Sequence, residues 1–376
     1  MSKIKKIAFL TGTRADFGKI KSLIESVEKH PDFQAHLFVT GMHLLEDYGY
    51  TLIEVERCGF KNITTFGNHT DEATMDLTLA KTIMGFSAFI TQEEPDLIVI
   101  HGDRVEALAG AIVGSLNNIL VAHIEGGELS GTIDELIRHA TSKMSHIHFV
   151  ANNEAKTRLV QMGEIETSIY TIGSPDIDIM FSNTLPSLAT VKTYYNIHFN
   201  TYAVAMFHPV TTEHNEIEAY ANQFVEALIE SQKNYVVIFP NNDLGSKTIL
   251  ETYKKIKNHS NFRVFLSIRF EYFLTLLKSA QFIIGNSSAG VREAPYYGIP
   301  TINIGTRQAN RASLGSITNT NYQAEDILNA IKNTKEIKVE KTETFGTGNS
   351  AEAFIKTLQL DGFWETNHQK QFITLS

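Results

Sequence analysis

Carboxylates and cations gather in short clusters along this chain. His101–Glu106 (HGDRVE) sets a histidine, an arginine and two acids side by side, and His123–Glu128 (HIEGGE) follows with two glutamates around a glycine pair. Asp134 and Glu135 open the next polar stretch, with Arg138 one helical turn on. Asp103, Glu125 and Asp134 are candidate functional residues in these clusters, and a positioned carboxylate can take a proton from a bound molecule or return one. Gly126 and Gly127 allow close backbone approach to that molecule. Asp103 and Asp134 also suit helix N-caps.

Other clusters suit anions. Gly12–Lys19 (GTRADFGK) joins a glycine turn to Arg14 and Lys19, and a helix start there would add N–H donors. It is neither G-x-G-x-x-G nor a Walker A sequence, which argues against nicotinamide dinucleotides and P-loop NTP chemistry. Gly285–Glu293 (GNSSAGVRE) is the strongest single signal. Ser287, Ser288 and the following N–H groups can bond a diphosphate, and Glu293 can accept from ribose hydroxyls. Ser287 also suits a plain N-cap. Gly305–Arg311 (GTRQANR) brings Arg307 and Arg311 toward the same place, and His208 in HPVTT is a proton carrier at a strand end. The D-x-D of Asp176 and Asp178 is too weak a signal for a metal. Neither H-E-x-x-H nor G-x-S-x-G occurs, and the single cysteine, Cys58, excludes a disulfide framework and multi-cysteine metal sites.

Nearly every cluster follows a short apolar run: Ile4–Leu10, Ala35–Thr40, Asp96–Ile100, Ile119–Ile124, Ile147–Val150 and Ser168–Ile172 in the first half. A second series runs Tyr202–Phe207, Tyr235–Phe239, Phe262–Leu266, Phe282–Ile284 and Thr301–Ile304. Continuous rather than alternating apolar residues suit strands covered on both faces of a parallel sheet. Helical spacing fills the gaps, as in Val105, Leu108, Ala109, Ile112, Val113 and Leu116. The uncharged run Ala107–Ile124 reads as helix, turn and strand, broken at Asn117-Asn118. The class is therefore α/β, with two similarly built domains of repeated βαβ units. The expected boundaries are 1–182 and 200–354, with a linker near residue 185 and a helix over 355–376 that carries Trp364. In such sheets ligands bind beyond the carboxyl ends of the strands, where these clusters lie.

The chain has 376 residues, 33 Lys+Arg against 42 Asp+Glu, and 43% apolar residues. That is globular composition, long enough for two cores. A net charge of −9 argues against nucleic acid as the main partner but not against a small anion. Met1–Lys6 is basic, but Ile7–Leu10 is too short for a signal-peptide core. A soluble cytoplasmic protein with no membrane partner is expected.

Taken in order, GTRADFGK, HGDR, HIEGGELSGTIDELIRH, IGSPDID, MFHPVTTEH, GNSSAGVREAP and GTRQANR resemble the hydrolysing UDP-N-acetylglucosamine 2-epimerases of bacterial sialic acid synthesis. The resemblance covers nearly the whole chain. It implies a GT-B-like fold, two Rossmann-like domains with parallel sheets facing a central cleft and the final helix, 355–376, packing back on the first domain, and conversion of UDP-GlcNAc and water to UDP and N-acetylmannosamine (ManNAc). UDP is eliminated to leave a glucal, which is hydrated with inversion at C2. No metal and no other cofactor is implied, and a homodimer or homotetramer is.

By matching motifs, Asp103, Glu125 and Asp134 would be the catalytic carboxylates, with His208 near the leaving diphosphate. Arg14, Lys19, His43, Arg104 and Asp178 would line the sugar, Ser287 and Ser288 the diphosphate, and Glu293 the ribose, with Arg307 nearby. Gly18 stands where some relatives carry a serine, so a hydroxyl contact there is lost. Non-hydrolysing relatives have an Arg/Glu-rich segment after the strand-end histidine; here His208 is followed by PVTTEH, which favours the hydrolysing branch. The same chemistry on a UDP-2,4-diacetamido-2,4,6-trideoxy sugar, a non-hydrolysing epimerase and a GT-B glycosyltransferase remain alternatives.

The C2 proton of such a sugar is poorly acidic, and a positioned base supplies only about 10²–10⁴-fold. Most of the barrier must fall through expulsion of a stabilised diphosphate, which calls for donors around the phosphates and carboxylates around the ring. Crowded acids repel, so one of them can stay protonated and serve as the acid. Asp103 or Glu125 is assigned to the C2 proton and Asp134 to hydration.

Overall fold

The computed structural model describes residues 4–69, 74–130, 133–308, 315–334, 337, 339 and 341–373. Among them the apolar runs form strands β1 (Lys5–Thr11), β2 (Phe33–Val39), β3 (Ile63–Thr65), β4 (Leu97–His101), β5 (Leu120–Ile124), β6 (Ile147–Val150) and β7 (Ile169–Thr171). The later series is β8 (Ala203–Met206), β9 (Tyr235–Ile238), β10 (Phe262–Phe265), β11 (Ile283–Gly285), β12 (Thr301–Ile304) and β13 (Ile317–Thr320). They build two parallel sheets, in the orders β3-β2-β1-β4-β5-β6-β7 and β10-β9-β8-β11-β12-β13. Both orders reverse once, between β1 and β4 and between β8 and β11, the switch points where doubly wound sheets bind ligands.

β1 explains the continuous apolar runs. Ile7 and Phe9 enter one core with Ile20, Leu23, Ile24 and Val27 of the helix Arg14–Lys29, while Ala8 and Leu10 enter a second with Phe86 and Phe89. Successive strand residues point to opposite faces, so a strand covered on both needs apolar residues throughout. β3 and β13 escape this signal because they are short edge strands, ITT and ITNT, and only partly buried. The run Ala107–Ile124 forms the helix Val105–Leu116, a turn with Asn118 in the left-handed region, and β5.

Two compact units result. One comprises Met1–Glu128, Asp134–Ser182 and Thr344–Ser376; the other comprises Leu129–Ile133 and Asn183–Glu343. The return to the first unit thus starts at residue 344 rather than 355. The stretch expected to be helical over 355–376 is helical over Ser350–Leu358, followed by a 3-10 turn at Phe363–Glu365. Gly362, with φ of +82°, separates the two. The linker region contains the helix Leu188–Tyr194.

Phe354, Leu358 and Phe363 join the core under β1 and β2. Trp364 donates from Nε1 to the Leu358 carbonyl at 2.9 Å, and the Lys5 ammonium lies 4.9 Å from its ring. Asp178 accepts from the backbone N–H groups of Ser350 (2.8 Å) and Ala351 (2.7 Å), capping the helix start. Burial raises the Asp178 pKa from its ordinary value, against the pull of these N–H bonds. No described helix is long and apolar enough to cross a membrane. Replacing Asp178 by alanine is expected to lower unfolding stability by about 1–2 kcal/mol through loss of this cap. A urea midpoint matching that of the native chain would contradict that role.

Candidate active site

In the first unit the site is assembled where β1, β4 and β5 end. β4 runs into Gly102 and Asp103, and β5 into Glu125. Glu125 has φ of +67°, unusual for a residue with a side chain. Its N–H donates to the Phe149 carbonyl (3.2 Å) and its own carbonyl accepts from Arg138 Nη1 (2.7 Å), so both backbone groups hold the strained conformation. Gly127 follows at φ +74°, where a Cβ would lie 2.2 Å from the Ala155 carbonyl oxygen.

Arg138 is the hub. It is fully buried, on the helix Ile133–Met144, and its Nη2 donates to Asp103 Oδ2. Its Nη1 also lies 4.0 Å from Glu125 Oε2. Glu125 Oε1 collects Lys19 Nζ at 3.2 Å, Ser174 Oγ at 3.3 Å and His101 Nε2 at 3.3 Å. Asp134 stands four residues before Arg138, on the same face one turn away. Asp103, Glu125 and Lys19 are thus brought together, with Asp134 on the Arg138 face. Asp103 does not cap a helix: Arg104 is the N-cap residue of Val105–Leu116, without a side-chain cap bond. Asp134 lies inside its helix, at the second position.

The Gly12–Lys19 turn differs from the anion site expected. Thr13 caps the helix Arg14–Lys29, and the Asp16 carboxylate takes the N–H groups of Gly12 (3.0 Å) and Thr13 (3.0 Å). A carboxylate already sits where an anion would bind, and Lys19 turns inward to Glu125 instead. Arg14 remains half-buried in the first helical turn. Arg104 Nε lies 3.3 Å from Glu106 Oε2. Glu106 in turn packs against Gly12, where a Cβ would approach its side chain to 2.9 Å.

His43 and Asp178 serve within the fold. Thr11 Oγ1 donates to Asp16 Oδ1 (2.5 Å), so it must accept from His43 Nε2 (3.1 Å). His43 Nδ1 then accepts from Thr51 Oγ1 at 2.8 Å. Both ring nitrogens are used, and the residue is fully buried. Asp178 spends both carboxylate oxygens on the helix start at Ser350. Neither assignment to the sugar side finds support in these contacts. Among the described residues no group of three or more His, Cys, Asp and Glu side chains could hold a metal ion.

In the second unit the same rule operates where β8, β11 and β12 end. The Asn286 side chain accepts from His208 N–H (2.6 Å) and donates to its carbonyl (2.8 Å), tying the β8 and β11 loops together. Gly285 is required just before it: φ is +132°, and a Cβ would meet the Met206 carbonyl oxygen at 1.9 Å. Asn241 N–H donates to His208 Nδ1 (3.1 Å), which places the ring proton on Nε2. Ser287 accepts from Ala289 N–H at 3.3 Å and caps the 3-10 turn Ser288–Gly290; Ser288 is half-buried there. Glu293 is buried at the start of the short helix Glu293–Tyr297. Arg307 Nη1 (3.2 Å) and Gln308 Nε2 (3.0 Å) both donate to the Asn286 carbonyl, so Arg307 is delivered to the serine loop. Arg311 lies outside the described residues.

Several organising residues were given no role from sequence: Arg138, Ser174, Asn286, Gln308 and Glu106. The signal for Arg138 was its spacing of one helical turn from Asp134, and Asn286 could have been found from its place within GNSSAG. Ser174 and Gln308 carry no such signal.

Burial lowers the His43 pKa to about 4, with Asp16 opposing. His123 is lowered to about 3, again chiefly by burial. Above about pH 6.5 both rings are neutral whether the chain is folded or unfolded. Below it the unfolded chain takes up protons that the folded one refuses, so stability falls as pH drops toward 4. His43→Gln is expected to make this acid-side fall shallower in urea midpoints taken from about pH 7.5 to about pH 4.5. Equal slopes for both proteins would contradict the assignment.

Comparison with known proteins identifies the family. Residues 25–359 match the family model described as UDP-N-acetylglucosamine 2-epimerase. The chain is 50% identical to a UDP-N-acetylglucosamine 2-epimerase of Neisseria meningitidis serogroup B, covering 99% of this chain and all of that one. It is 30% identical to a UDP-N,N'-diacetylbacillosamine 2-epimerase (hydrolyzing) of Legionella pneumophila, over 95% and 97% of the two chains. Among solved structures, Methanocaldococcus jannaschii UDP-GlcNAc 2-epimerase in complex with UDP-GlcNAc and UDP shares the fold, of GT-B-like type. Its TM-score is 0.81 at 23% identity, covering 94% of this chain and 99% of that one. With a family model spanning most of its length and a half-identical relative matched end to end, the chain belongs to the UDP-N-acetylglucosamine 2-epimerase family.

Proposed function

We propose that the protein is the hydrolysing form of this enzyme, converting UDP-GlcNAc and water to UDP and ManNAc, a precursor for sialic acid. The observation that carries this reading is the assembly of half-buried Asp103 and buried Glu125 on Arg138, with Lys19 and His101 against Glu125 and Asp134 one turn away. A binding protein has little need to bury so many charges together at a known energetic cost. The half-identical meningococcal relative, named for the same epimerisation, supports the substrate.

The reaction needs two stages. In the first, Asp103 or Glu125 takes the proton from C2 while the C1–O bond breaks. The electrons of the C2–H bond form the C1=C2 double bond of the glucal, and those of the C1–O bond leave with UDP. Ser287, Ser288 and Arg307 hold the departing diphosphate, Glu293 the ribose, and His208, with its proton on Nε2, stands near the diphosphate as a donor. In the second, Asp134 serves hydration: a proton passes from it to C2 on the opposite face, the C1=C2 electrons form the new C–H bond, and the oxygen of water bonds to C1 while the proton that water loses returns to Asp134. Arg14 and Arg104 line the sugar. The residues need no metal or other cofactor for this sequence.

Release of free ManNAc is supported by the segment after His208. Pro209–His214 lacks the Arg/Glu-rich run of the non-hydrolysing branch. Its one glutamate before His214, Glu213, accepts from Thr306 Oγ1 (2.6 Å) and Tyr322 Oη (2.6 Å) and so anchors the loop before Arg307. The Legionella relative favours a second reading, the same chemistry on a UDP-2,4-diacetamido-2,4,6-trideoxy sugar. Turnover of the two substrates side by side separates them.

In D₂O, ManNAc formed from UDP-GlcNAc is expected to carry deuterium at C2 by NMR; unlabelled product would rule out elimination. Asp103→Asn is expected to lower kcat by about 10²–10⁴-fold while UDP still binds. Calorimetric UDP titration beside a kinetic assay tests this, and retained turnover would remove Asp103 from the chemistry.

A further inference from the structure

His123 lies in the HIEGGE cluster yet takes no part in the proposed chemistry. It is wholly buried on β5, two residues before Glu125. Its Nε2 lies 2.8 Å from the Gly102 carbonyl, and its Nδ1 lies 3.0 Å from Ser142 Oγ. A carbonyl can only accept, so Nε2 carries the ring proton and Nδ1 accepts from the serine hydroxyl. The imidazole therefore has one arrangement of its proton that satisfies both partners.

What those partners do gives the contact its meaning. Gly102 precedes Asp103 and has φ of +76°. Its N–H donates to the Ile124 carbonyl at 3.0 Å, and its carbonyl accepts from His123. Both polar groups of that peptide corner are thus pinned to β5, the strand that ends in Glu125. Ser142 is four residues beyond Arg138 on the same helix, and Arg138 grips Asp103 and the Glu125 carbonyl. The contacts close a ring: Asp103 to Arg138, along the helix to Ser142, across to His123, to Gly102, and back to Asp103. The far end of the helix is also held, since Lys370 Nζ donates to the Ser145 carbonyl (2.6 Å) and the Ser142 carbonyl (3.3 Å).

Gly126 supplies an independent sign that room is kept for this pair. A Cβ at that position would lie 3.1 Å from both His123 Nδ1 and Ser142 Oγ. Its φ is not in the left-handed region, so space rather than backbone freedom accounts for the glycine there. Burial holds the ring neutral, the Gly102 carbonyl opposing this and His148, Arg138 and His101 adding to it.

We propose that His123 is a positioning residue for the epimerase reaction, setting the Asp103 carboxylate in register with Glu125 through the Gly102 carbonyl and Ser142. This rests on the catalytic reading of Asp103 given above. The residue touches no substrate, so its loss should disturb the chemical step and leave binding of the nucleotide sugar intact.

The test compares the full-length native enzyme with His123→Leu, His123→Gln, Ser142→Ala and Asp103→Asn, using UDP-GlcNAc as substrate and UDP as the binding probe. His123→Leu is expected to lower kcat by about tenfold or more, with KM changed by less than about threefold, as misplacement of a reacting group predicts. His123→Gln, whose amide nitrogen can reach the same carbonyl, should recover most of that loss. A His123→Leu enzyme with native kcat, a change confined to KM, or a glutamine variant as poor as leucine would each overturn the proposal. Should His123→Leu fail to fold, Ser142→Ala keeps the ring and removes its other partner; kcat must still fall, and native kcat there overturns the proposal equally. Asp103→Asn separates the two levels. If it collapses turnover while His123→Leu does not, only the positioning role fails; if it leaves turnover intact, the catalytic reading fails and takes this inference with it.

Discussion

One buried guanidinium organises the first unit. Arg138 is fully enclosed, and stripping water from such a group is costly unless its donors meet acceptors in good geometry. Asp103 and the Glu125 carbonyl take its two terminal nitrogens. The same contacts bring the ends of β4 and β5 into one arrangement and hold a strained backbone at Glu125. Removing either partner would leave a charge buried without compensation. The stability of the unit and the placement of its carboxylates therefore rest on the same bonds.

The second unit solves a similar problem with a neutral group. Asn286 bridges the β8 and β11 loops through both ends of its amide, and its own carbonyl collects Arg307 and Gln308. An amide that donates and accepts can link two backbone loops without bringing in a charge. In each sheet two strand-end loops are tied by one polar side chain from which candidate site residues hang: those after β8 and β11, at the reversal, in the second unit, and those after β4 and β5, beside it, in the first. Carboxylates gather at the strand ends of the first unit, hydroxyls and a cation at those of the second.

The chain end belongs to the same logic. Phe354, Leu358 and Phe363 fill the core beneath β1 and β2. Lys370 meets Glu164, whose carboxylate is also shared by His148 and Lys143. Burial works to raise the Glu164 pKa, but these partners outweigh it and hold it at about 2. A residue far along the chain thereby braces the helix that carries Asp134 and Arg138.

Much of this was legible in the linear chain. Continuous apolar runs announced the parallel strands, because a doubly covered strand admits few polar residues. The polar clusters marked strand ends, because that is where such sheets leave backbone groups for a ligand. What could not be read were the partners. Nothing local shows that Arg138 would reach Asp103, that Lys19 would turn from solvent to Glu125, or that His43 would be consumed by Thr11 and Thr51. Asp178 resembled a site residue and became a helix cap for a segment some 170 positions later. Residue types and their order determined the class of fold and the kinds of chemistry available. Tertiary structure decided which charged groups neutralise one another, because that depends on side chains brought within about 3–4 Å by packing, a distance that sequence separation does not encode.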